Sequence, residues 1–484
     1  MRRYGVTTLL GLGMMIPEAP AEARTVEDLQ RQIDELKAVV RTLSAEQRRR
    51  KGGGPTPSPR PAAPRPVETA GPASGPASGT APVLSGQAQP APAPPAHAGR
   101  PKTWFERLTL RGYTQLRVNE VLAGDADAPA GSSRLRSVHD GGIRDRDTFT
   151  FRRVRLILQG DVHERVAIYL QPDFAVSVGN QSAGEPRGGF AQLRDAYADV
   201  FLDDERRTRL RFGQQKVPYG WENLQSSQNR LTLDRSDAIN SAIPGERDIG
   251  ITAYHTPPSV QRIWDRLGKD GQKLFGNYGA FGVGVYNGQT INRLEQNDDV
   301  MIVGMATWPF ALDGLGSAFA GQVLEVGGSA YRNRFKPEIR AGGVGPVSYA
   351  DERVGVHAIL YPQPFGLQAE WNWGRGPEFD ALTRAIETKP LEGGYLQAMY
   401  RFEHSLVGPF MPYARLQTYR GGWKVATNAP PLATDEFEVG IEFQPIKPLE
   451  ITLAYSKMRR READERRFGR ARGDLFRAQV QWNY

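Results

Sequence analysis

The chain of 484 residues contains no cysteine, which excludes disulfide bonds, cysteine-ligated zinc, iron–sulfur clusters and thiol catalysis. Its six histidines are scattered and form no HExxH or HxxxH pair, so neither a metal centre nor a bound cofactor is predicted. The chain also lacks an apolar run of about 18 residues, which argues against membrane-spanning helices. That absence leaves a membrane barrel open, because a barrel strand alternates apolar and polar residues.

Acidic and basic side chains nearly balance over most of the chain. Residues 1–103 hold 14 basic and 8 acidic side chains, and residues 104–484 hold 48 and 46. The formal net charge of +8 therefore belongs mainly to the N-terminal segment. Because no basic module with interleaved aromatics follows, nucleic-acid binding is not predicted.

The first 23 residues have the composition of a signal peptide. A basic start, Met1-Arg2-Arg3, precedes an apolar stretch at 5–16, and Ala21-Glu22-Ala23 fits the pattern of a cleavage site. The alternative is a buried terminal helix. The apolar stretch is too short to span a membrane, so we predict a signal peptide over 1–23 and export of the chain.

Two further segments precede the main body of the chain. Residues 24–51 carry apolar side chains at spacings of three and four, which predicts a short coiled-coil helix or an amphipathic helix packed on its own barrel. These side chains are Val26, Leu29, Ile33, Leu36, Val40 and Leu43. Residues 52–103 are rich in Pro, Ala and Gly, with 14 of the 36 prolines, and predict an extended linker.

From residue 104 onward the chain predicts an all-β fold, a 16-stranded antiparallel transmembrane barrel. Apolar and polar residues alternate with period two, as in a strand with one lipid-facing and one lumen-facing side. The last strand places Phe476, Ala478, Val480, Trp482 and Tyr484 on one face, and this aromatic ending resembles the assembly signal of outer-membrane barrels. A soluble β-sandwich is the alternative. The predicted strands are 108–119, 148–160, 164–175, 191–202, 208–216, 247–256, 277–286, 299–309, 316–325, 351–361, 365–374, 392–402, 409–419, 435–444, 448–457 and 473–484.

The connections between these strands alternate in length. Short turns on the periplasmic side and long outer loops are typical of such barrels, and this pattern places the N-terminal extension in the periplasm. The predicted long outer connections are 120–147, 217–246, 326–350, 375–391, 420–434 and 458–472. Residues 257–276 break the rule, because this connection falls on the periplasmic side and is long.

Several motifs resemble the phosphate-selective porin O and P family of bacterial outer-membrane porins. The resemblance covers about 108–484 and implies a homotrimeric channel with an inward-folded third outer loop, here 217–246. It departs from the family pattern at Asp234, where a Glu tends to precede the Arg. The motifs are Phe151-Arg-Arg-Val-Arg-Leu156, Leu193-Arg-Asp-Ala-Tyr197, Phe212-Gly-Gln-Gln-Lys-Val-Pro-Tyr-Gly220, Glu222-Asn-Leu-Gln-Ser226, Leu233-Asp-Arg-Ser236, Gly245-Glu-Arg-Asp-Ile-Gly250 and Tyr286-Asn-Gly288.

Selectivity for an anion needs fixed cations in the channel, and arginine suits phosphate because its planar fork matches the phosphate oxygens. The candidates for lining the pore and binding anions are Arg111, Arg117, Arg153, Arg155, Lys216, Arg230, Arg235 and Arg247. For each of them, a salt-bridged wall residue is the alternative. Inward-facing acids are expected opposite them at Glu370, Glu436, Glu438, Glu442 and Glu450.

These features predict an outer-membrane porin, not an enzyme, that forms a water-filled channel for small hydrophilic solutes and prefers anions such as phosphate. Its expected partners are outer-membrane lipid, small anionic solutes, the barrel-assembly machinery and two further copies of the chain. The alternatives are a non-selective or sugar-preferring porin, and a structural tether that joins the outer membrane to the cell wall. A barrel hydrolase would need a paired histidine, and His357 has no partner evident from the sequence.

Overall fold

The structure is a computed structural model that describes residues 103–124, 135, 140, 143, 148–176, 189–243, 246–403, 405, 408–461, 465–467 and 469–484. The chain divides into two units, 1–80 and 81–484, and all described residues lie in the second. The signal peptide at 1–23, the coiled coil at 24–51 and all but the last residue of the linker at 52–103 therefore lie outside the described residues.

The described part of the second unit is a closed antiparallel barrel of sixteen strands, each paired with its sequence neighbours, with β1 pairing β16. We call the end where β1 begins and β16 finishes the terminal end, and the other the loop end. The strands are β1 Leu108–Ala123, β2 Thr148–His163, β3 Val166–Val176, β4 Phe190–Phe201, β5 Thr208–Lys216, β6 Arg247–His255, β7 Phe281–Tyr286, β8 Met301–Ala311, β9 Val323–Phe335, β10 Tyr349–Leu360, β11 Phe365–Asp380, β12 Ala385–Tyr400, β13 Phe410–Gly422, β14 Pro431–Ile446, β15 Leu449–Arg461 and β16 Ala471–Asn483.

Three α-helices and three short 3-10 turns accompany the strands in the described residues. The helices are α1 Trp221–Leu224, α2 Asp237–Ala242 and α3 Pro258–Lys269. The 3-10 turns are Trp104–Arg107, Asp313–Leu315 and Ser317–Phe319. None of the described helices has the length and apolar composition needed to cross a membrane.

The register of the strands confirms which faces the alternation assigned to lipid and lumen. Leu110 pairs with Leu158 and Ile441 pairs with Leu453, so neighbouring strands place apolar side chains on the same outer face. Leu110 is 67% exposed, whereas Arg117 on the opposite face of the same strand is fully buried. A slip of one residue would exchange these faces, so burial specifies the register.

Two stretches differ most from the sequence prediction. The ninth strand was predicted at 316–325 and lies at Val323–Phe335. Because the outward residues Arg332 and Arg334 are charged, this stretch has the composition of a loop. In the structure they alternate with the buried Tyr331, as in a strand. The connection predicted at 375–391 is wrong as well, because β11 and β12 pair as far as Asp380 and Ala385. In both places the strands continue beyond the apolar band, where the sequence loses its alternation of apolar and polar residues.

Candidate functional site

The connection between β5 and β6, residues 217–246, folds into the barrel and is called the inserted loop here. Its helix α1 begins after Gly220, whose φ of 77° favours glycine. Glu370 of β11 accepts hydrogen bonds from the backbone amides of Trp221 and Glu222, both at 2.7 Å. Because β11 lies five strands beyond β6 in the ring, these bonds carry the loop across the lumen.

Contacts with other strands fix the inserted loop along its whole length. Glu222 pairs with Arg415 of β13 at 2.7 Å, and the carbonyl of Leu233 accepts a bond from Arg117 of β1 at 2.9 Å. Further along, Ser241 accepts a bond from Arg353 of β10 at 2.9 Å. Anchors on three separate strands make the loop a fixed constriction.

All eight predicted cations lie on the lumen side of the wall or in the inserted loop, but their surroundings differ. Lys216 is buried, and its ammonium donates to the carbonyls of Asn223, Leu224 and Gln225 at 2.9–3.2 Å. Those carbonyls belong to the last turn of α1 and the residue after it, where helix ends leave acceptors unpaired. Lys216 therefore closes the base of the inserted loop.

Four more of the eight are held by carboxylates. Arg155 pairs with Asp173 at 2.8 Å and Arg247 with Asp195 at 2.7 Å. Arg235 in the inserted loop lies 3.1 Å from Glu246.

The surroundings of this last pair shift both ionisation equilibria. Burial lowers the pKa of Arg235 to about 10 against the opposing effect of Glu246. Burial acts to raise the pKa of Glu246, but Arg235 and Arg247 hold it well below its ordinary value. Both groups are therefore charged at neutral pH, and their charges offset each other.

Arg117 is the fourth of these residues and meets a carboxylate that several arginines share. Asp234 of the inserted loop lies 2.9 Å from Arg117, 2.8 Å from Arg477 and 3.3 Å from Arg152. Burial acts to raise the pKa of Asp234, but Arg117, Arg152 and Arg477 lower it well below its ordinary value. The loop is therefore tied to β1, β2 and β16 through one ionised carboxylate.

The sequence did not reveal Arg152, because simple alternation places it on the lipid face. A β-bulge between β1 and β2 skips it, so that Gln115 pairs with Arg153 and Leu116 with Phe151. A bulge inserts one residue and re-aims the side chains around it. Arg152 thereby reaches Asp234 on the lumen side.

Three of the eight cations have no carboxylate oxygen within 4.0 Å among the described residues: Arg111, Arg153 and Arg230. Arg153 is 4% exposed and donates to the neutral Gln115 at 2.7 Å, while its Nε has no partner. Arg230 is 7% exposed and its Nε also lacks a partner. Burial lowers the pKa of Arg230 against the opposing pull of Glu246 and Glu222.

These unneutralised cations are neighbours. Arg153 interacts electrostatically with Arg230 and with Arg152 and Arg155, all of the same sign. Arg111, nearer the terminal end, donates to Gln228 of the inserted loop at 3.4 Å. Among the described residues, the face between β1, β2 and the inserted loop therefore holds three cations without a carboxylate within 4.0 Å.

A second segment, residues 256–280 between β6 and β7, fills the terminal end of the lumen. The sequence marked this connection as unusually long, and in the structure it contains α3. Prolines 257 and 258 begin this helix, and Val260, Trp264 and Leu267 form its buried face. This face packs against the inserted loop at Trp221.

A buried carboxylate on β9 holds the two insertions together. Glu325 accepts bonds from the indoles of Trp221 and Trp264 at 3.2 and 3.0 Å. It also accepts hydroxyl bonds from Tyr361 and Thr307, both at 2.8 Å. Four donors around one fully buried carboxyl group form a satisfied network that fixes both insertions to the wall.

The lumen is therefore far more occupied than the sequence predicts. Arg117, Arg211 and Glu325, all inward-facing, are at most 1% exposed. The inserted loop and α3 pack against these groups and fill part of the lumen. Within the described residues, no three acidic or histidine side chains gather as metal ligands.

The inward acids predicted on the later strands are also paired. Glu438 meets Arg477, Glu436 meets Arg460 at 2.8 Å, and Glu442 and Glu450 meet Lys273. His357 shares a hydrogen bond of 2.9 Å with Thr307. The acidic side of the lumen therefore has much of its charge offset, unlike the face at Arg153 and Arg230.

Comparison with known proteins agrees with this architecture. Solved structures share the fold at low identity. They include OmpF of Salmonella typhi in complex with daunomycin, at 12% identity and a TM-score of 0.50 over 78% of this chain and 97% of that one. The channel DcaP of Acinetobacter baumannii is 14% identical, with a TM-score of 0.46 over 78% of this chain and 97% of that one. The anion-selective porin from Comamonas acidovorans is 12% identical, with a TM-score of 0.45 over 78% of this chain and 99% of that one. No curated protein matches the chain.

A family profile matches residues 131–484, which is most of the chain and nearly all of the barrel. The profile is that of the phosphate-selective porins O and P. Together with the closed barrel and its inserted loop, this match places the protein in the outer membrane: the chain belongs to the phosphate-selective porin O and P family.

Proposed function

We propose that this porin is a narrow passive channel for small hydrophilic solutes that prefers anions such as phosphate. The proposal depends mainly on one observation, the pair of buried guanidinium groups of Arg153 and Arg230 without a carboxylate within 4.0 Å. Guanidinium groups keep their charge and match phosphate oxygens in a planar fork. A passing anion would supply the counter-charge that the protein itself does not provide.

The narrowness of the lumen makes this local charge effective. Fixed charges act over about a Debye length, roughly 8 Å at physiological salt. In a wide pore, ions would pass beyond that distance and the small net charge of the barrel would decide little. Because the inserted loop and α3 occupy the lumen, solutes pass within reach of Arg153 and Arg230.

The other predicted cations have a different proposed role. Arg117, Arg155, Lys216, Arg235 and Arg247 are bonded to carboxylates or carbonyls, and we assign them to holding the inserted loop in place. Their removal would change selectivity only by moving the loop. Arg111, which has neutral partners, is assigned to the anion path.

Solute efflux from liposomes tests this function against its alternatives. Purified protein is reconstituted, and the efflux of phosphate is compared with that of a neutral sugar of similar size. We expect phosphate to leave faster. Faster sugar efflux would indicate a sugar-preferring porin, equal rates a non-selective porin, and no efflux of either a closed barrel that acts as a tether.

The remaining proposals concern assembly. We propose a homotrimer, as family membership implies, with insertion by the barrel-assembly machinery through the aromatic last strand. Residues 1–23 would be removed as a signal peptide, and the helix at 24–51 and the linker at 52–103 would extend into the periplasm. Native mass spectrometry of the detergent-extracted protein tests both the mass of the mature chain and the number of copies.

A further inference from the structure

A cluster of cations lies on the outer wall of the barrel near the loop end, away from the lumen. On β15, Lys457 and Arg459 are exposed, while the residues between and beside them are buried on the lumen side. Arg459 lies directly across from Arg472 of β16. Like charges in direct register on one face of a sheet repel each other, so this pair destabilises the strands unless an anion lies between them.

The nearby acids do not neutralise these cations. Asp435 of β14 lies beside Arg459 but accepts bonds from Arg470 at 3.0 Å and from Arg420. Asp474 faces Lys457 across the strands and accepts a hydrogen bond from Tyr455 at 2.9 Å. Among the described residues, the side chains of Lys457, Arg459 and Arg472 have no hydrogen bond or ion pair.

The position of the cluster is that of a lipid headgroup. On β15 the outward side chains are apolar at Ile451 and Leu453 and become cationic at Lys457 and Arg459. On β14 the outward row likewise changes from Phe437 to a charged residue. The cluster therefore begins where the apolar band of the barrel ends, at the boundary between acyl chains and headgroups.

An apolar groove on the same outer wall adjoins the cluster. Its volume is about 750 Å³, and it runs over β10–β15 with Lys457 and Asp435 at its polar margin. Outward side chains of these six strands form it, and they alternate with inward ones such as Glu370 and Glu436. Its apolar lining includes Ala358, Ala369, Trp371, Leu396, Leu416 and Phe437.

We propose that this surface is a binding site for one phosphorylated lipid of the outer leaflet, the lipid A part of lipopolysaccharide. An acyl chain lies in the groove, and a phosphate group lies against Lys457, Arg459 and Arg472. The choice of lipid A rests on the orientation proposed above, in which the loop end faces the outside. Charge complementarity and the adjoining groove together favour a ligand with both phosphate and acyl chains.

Native mass spectrometry tests the site with purified protein and added lipid A. We expect wild-type protein to retain lipid A. The triple variant Lys457→Gln, Arg459→Gln, Arg472→Gln should bind lipid A at least about tenfold more weakly, because each basic residue near a membrane surface favours an anionic lipid. The matched control is Arg332→Gln with Arg334→Gln, two outward arginines on β9 that should leave binding unchanged. Ala369→Phe fills the groove and should weaken binding of lipid A.

Lipid A without its phosphates separates the two parts of the site. We expect it to bind wild-type protein as weakly as complete lipid A binds the triple variant. Equal binding of both lipids to wild-type protein, or equal binding of lipid A to wild type and triple variant, would overturn the proposal. Inorganic phosphate should not displace lipid A, whereas displacement would show a site for the free anion alone.

A labelling experiment separates this proposal from the orientation on which it rests. Because the chain has no cysteine, Leu382→Cys in the exposed β11–β12 hairpin introduces a single thiol at the loop end. A membrane-impermeant thiol reagent should label it on intact cells. Labelling without lipid A binding would overturn the lipid site only, whereas protection from the reagent would overturn the orientation.

Discussion

Lys273, in the segment between β6 and β7, forms an ion pair with Glu442 of β14, half-way round the ring of sixteen strands. The same ammonium lies 3.3 Å from Glu450 of β15. Burial acts to lower the pKa of Lys273, but the two carboxylates raise it above its ordinary value. The ion pairs of Lys273 therefore hold residues 256–280 in place across the terminal end of the lumen.

Replacing Lys273 should widen the channel. In Lys273→Gln the segment loses its anchor on the far wall, and Glu442 and Glu450 are left without their cation. We expect a higher single-channel conductance in planar bilayers. We also expect a lower melting temperature, since Glu442 and Glu450 lose the cation that offsets their charge.

Lys269→Gln is the control for this variant. Lys269 is exposed at the end of α3, and its replacement removes the same charge from the same segment. We expect its conductance to equal that of wild type. An unchanged conductance in Lys273→Gln as well would show that residues 256–280 do not restrict the conducting path.

Asp234 gives a prediction about charge in the constriction. Asp234→Asn removes the negative charge shared by Arg117, Arg152 and Arg477, while Asp140 still pairs with Arg117 and Glu438 with Arg477, so this face of the lumen gains one net positive charge. We expect the anion-to-cation permeability ratio to rise. Asp299→Asn at the rim is the control, because that carboxylate is 45% exposed; a fall in the ratio for Asp234→Asn would contradict the expectation.

The low pKa of Asp234 also fixes the direction of a pH effect. A carboxyl whose pKa is lower in the folded than in the unfolded state adds stability above the unfolded value of about 4. That stability is lost only as the pH falls from about 4 towards the folded value. The stability that Asp234 adds by anchoring the inserted loop should therefore be the same at pH 7 and pH 5. Thermal unfolding checks this: the difference in melting temperature between wild type and Asp234→Asn should be equal at the two pH values.

How much of the fold and of the candidate site the sequence predicts depends on how far apart along the chain the interacting residues lie. Strand alternation is local, so the sequence predicted sixteen strands and the faces of Leu110 and Arg117 correctly. Pairing is not local: Asp234 meets Arg117 only because the inserted loop crosses the lumen. The sequence therefore named Arg153 and Arg235 as equivalent cations, whereas the structure shows that only Arg235 has a carboxylate within reach. The inward position of Arg152 depends on a β-bulge, and no local sequence pattern predicts that bulge.

Glu370 should be essential for the position of the inserted loop. In Glu370→Gln one of the two carboxyl oxygens becomes an amide nitrogen, which donates and does not accept, so the amides of Trp221 and Glu222 lose one of their two acceptors. A buried donor left without an acceptor costs about 1–3 kcal/mol. We expect a lower melting temperature in detergent and faster proteolysis of the loop.

Glu392→Gln is the control for Glu370→Gln. Glu392 is exposed on β12, facing away from the lumen. We expect its melting temperature and rate of proteolysis to match wild type. A wild-type melting temperature and proteolysis rate in Glu370→Gln would show that the other anchors, at Arg415 and Arg117, hold the loop without Glu370.

The N-terminal extension should be dispensable for insertion. We expect a chain without residues 24–100 to assemble in membranes, because a linker rich in Pro, Ala and Gly separates the predicted helix from the barrel. The oligomer should dissociate at a lower temperature in semi-native gels, since the seam from Val26 to Leu43 is absent. Failure of the truncated chain to reach the membrane would mean that the extension takes part in assembly.

The zero-current potential in a planar bilayer under a KCl gradient tests the anion path most directly. At low salt, where the Debye length reaches about 30 Å at 0.01 M, wild-type protein should show a potential of the sign for anion preference. Arg153→Gln with Arg230→Gln should shift it towards zero, while the outward Arg332→Gln should not. A wild-type potential of the cation-selective sign, or an unchanged potential in the double variant, would contradict the role of these two arginines.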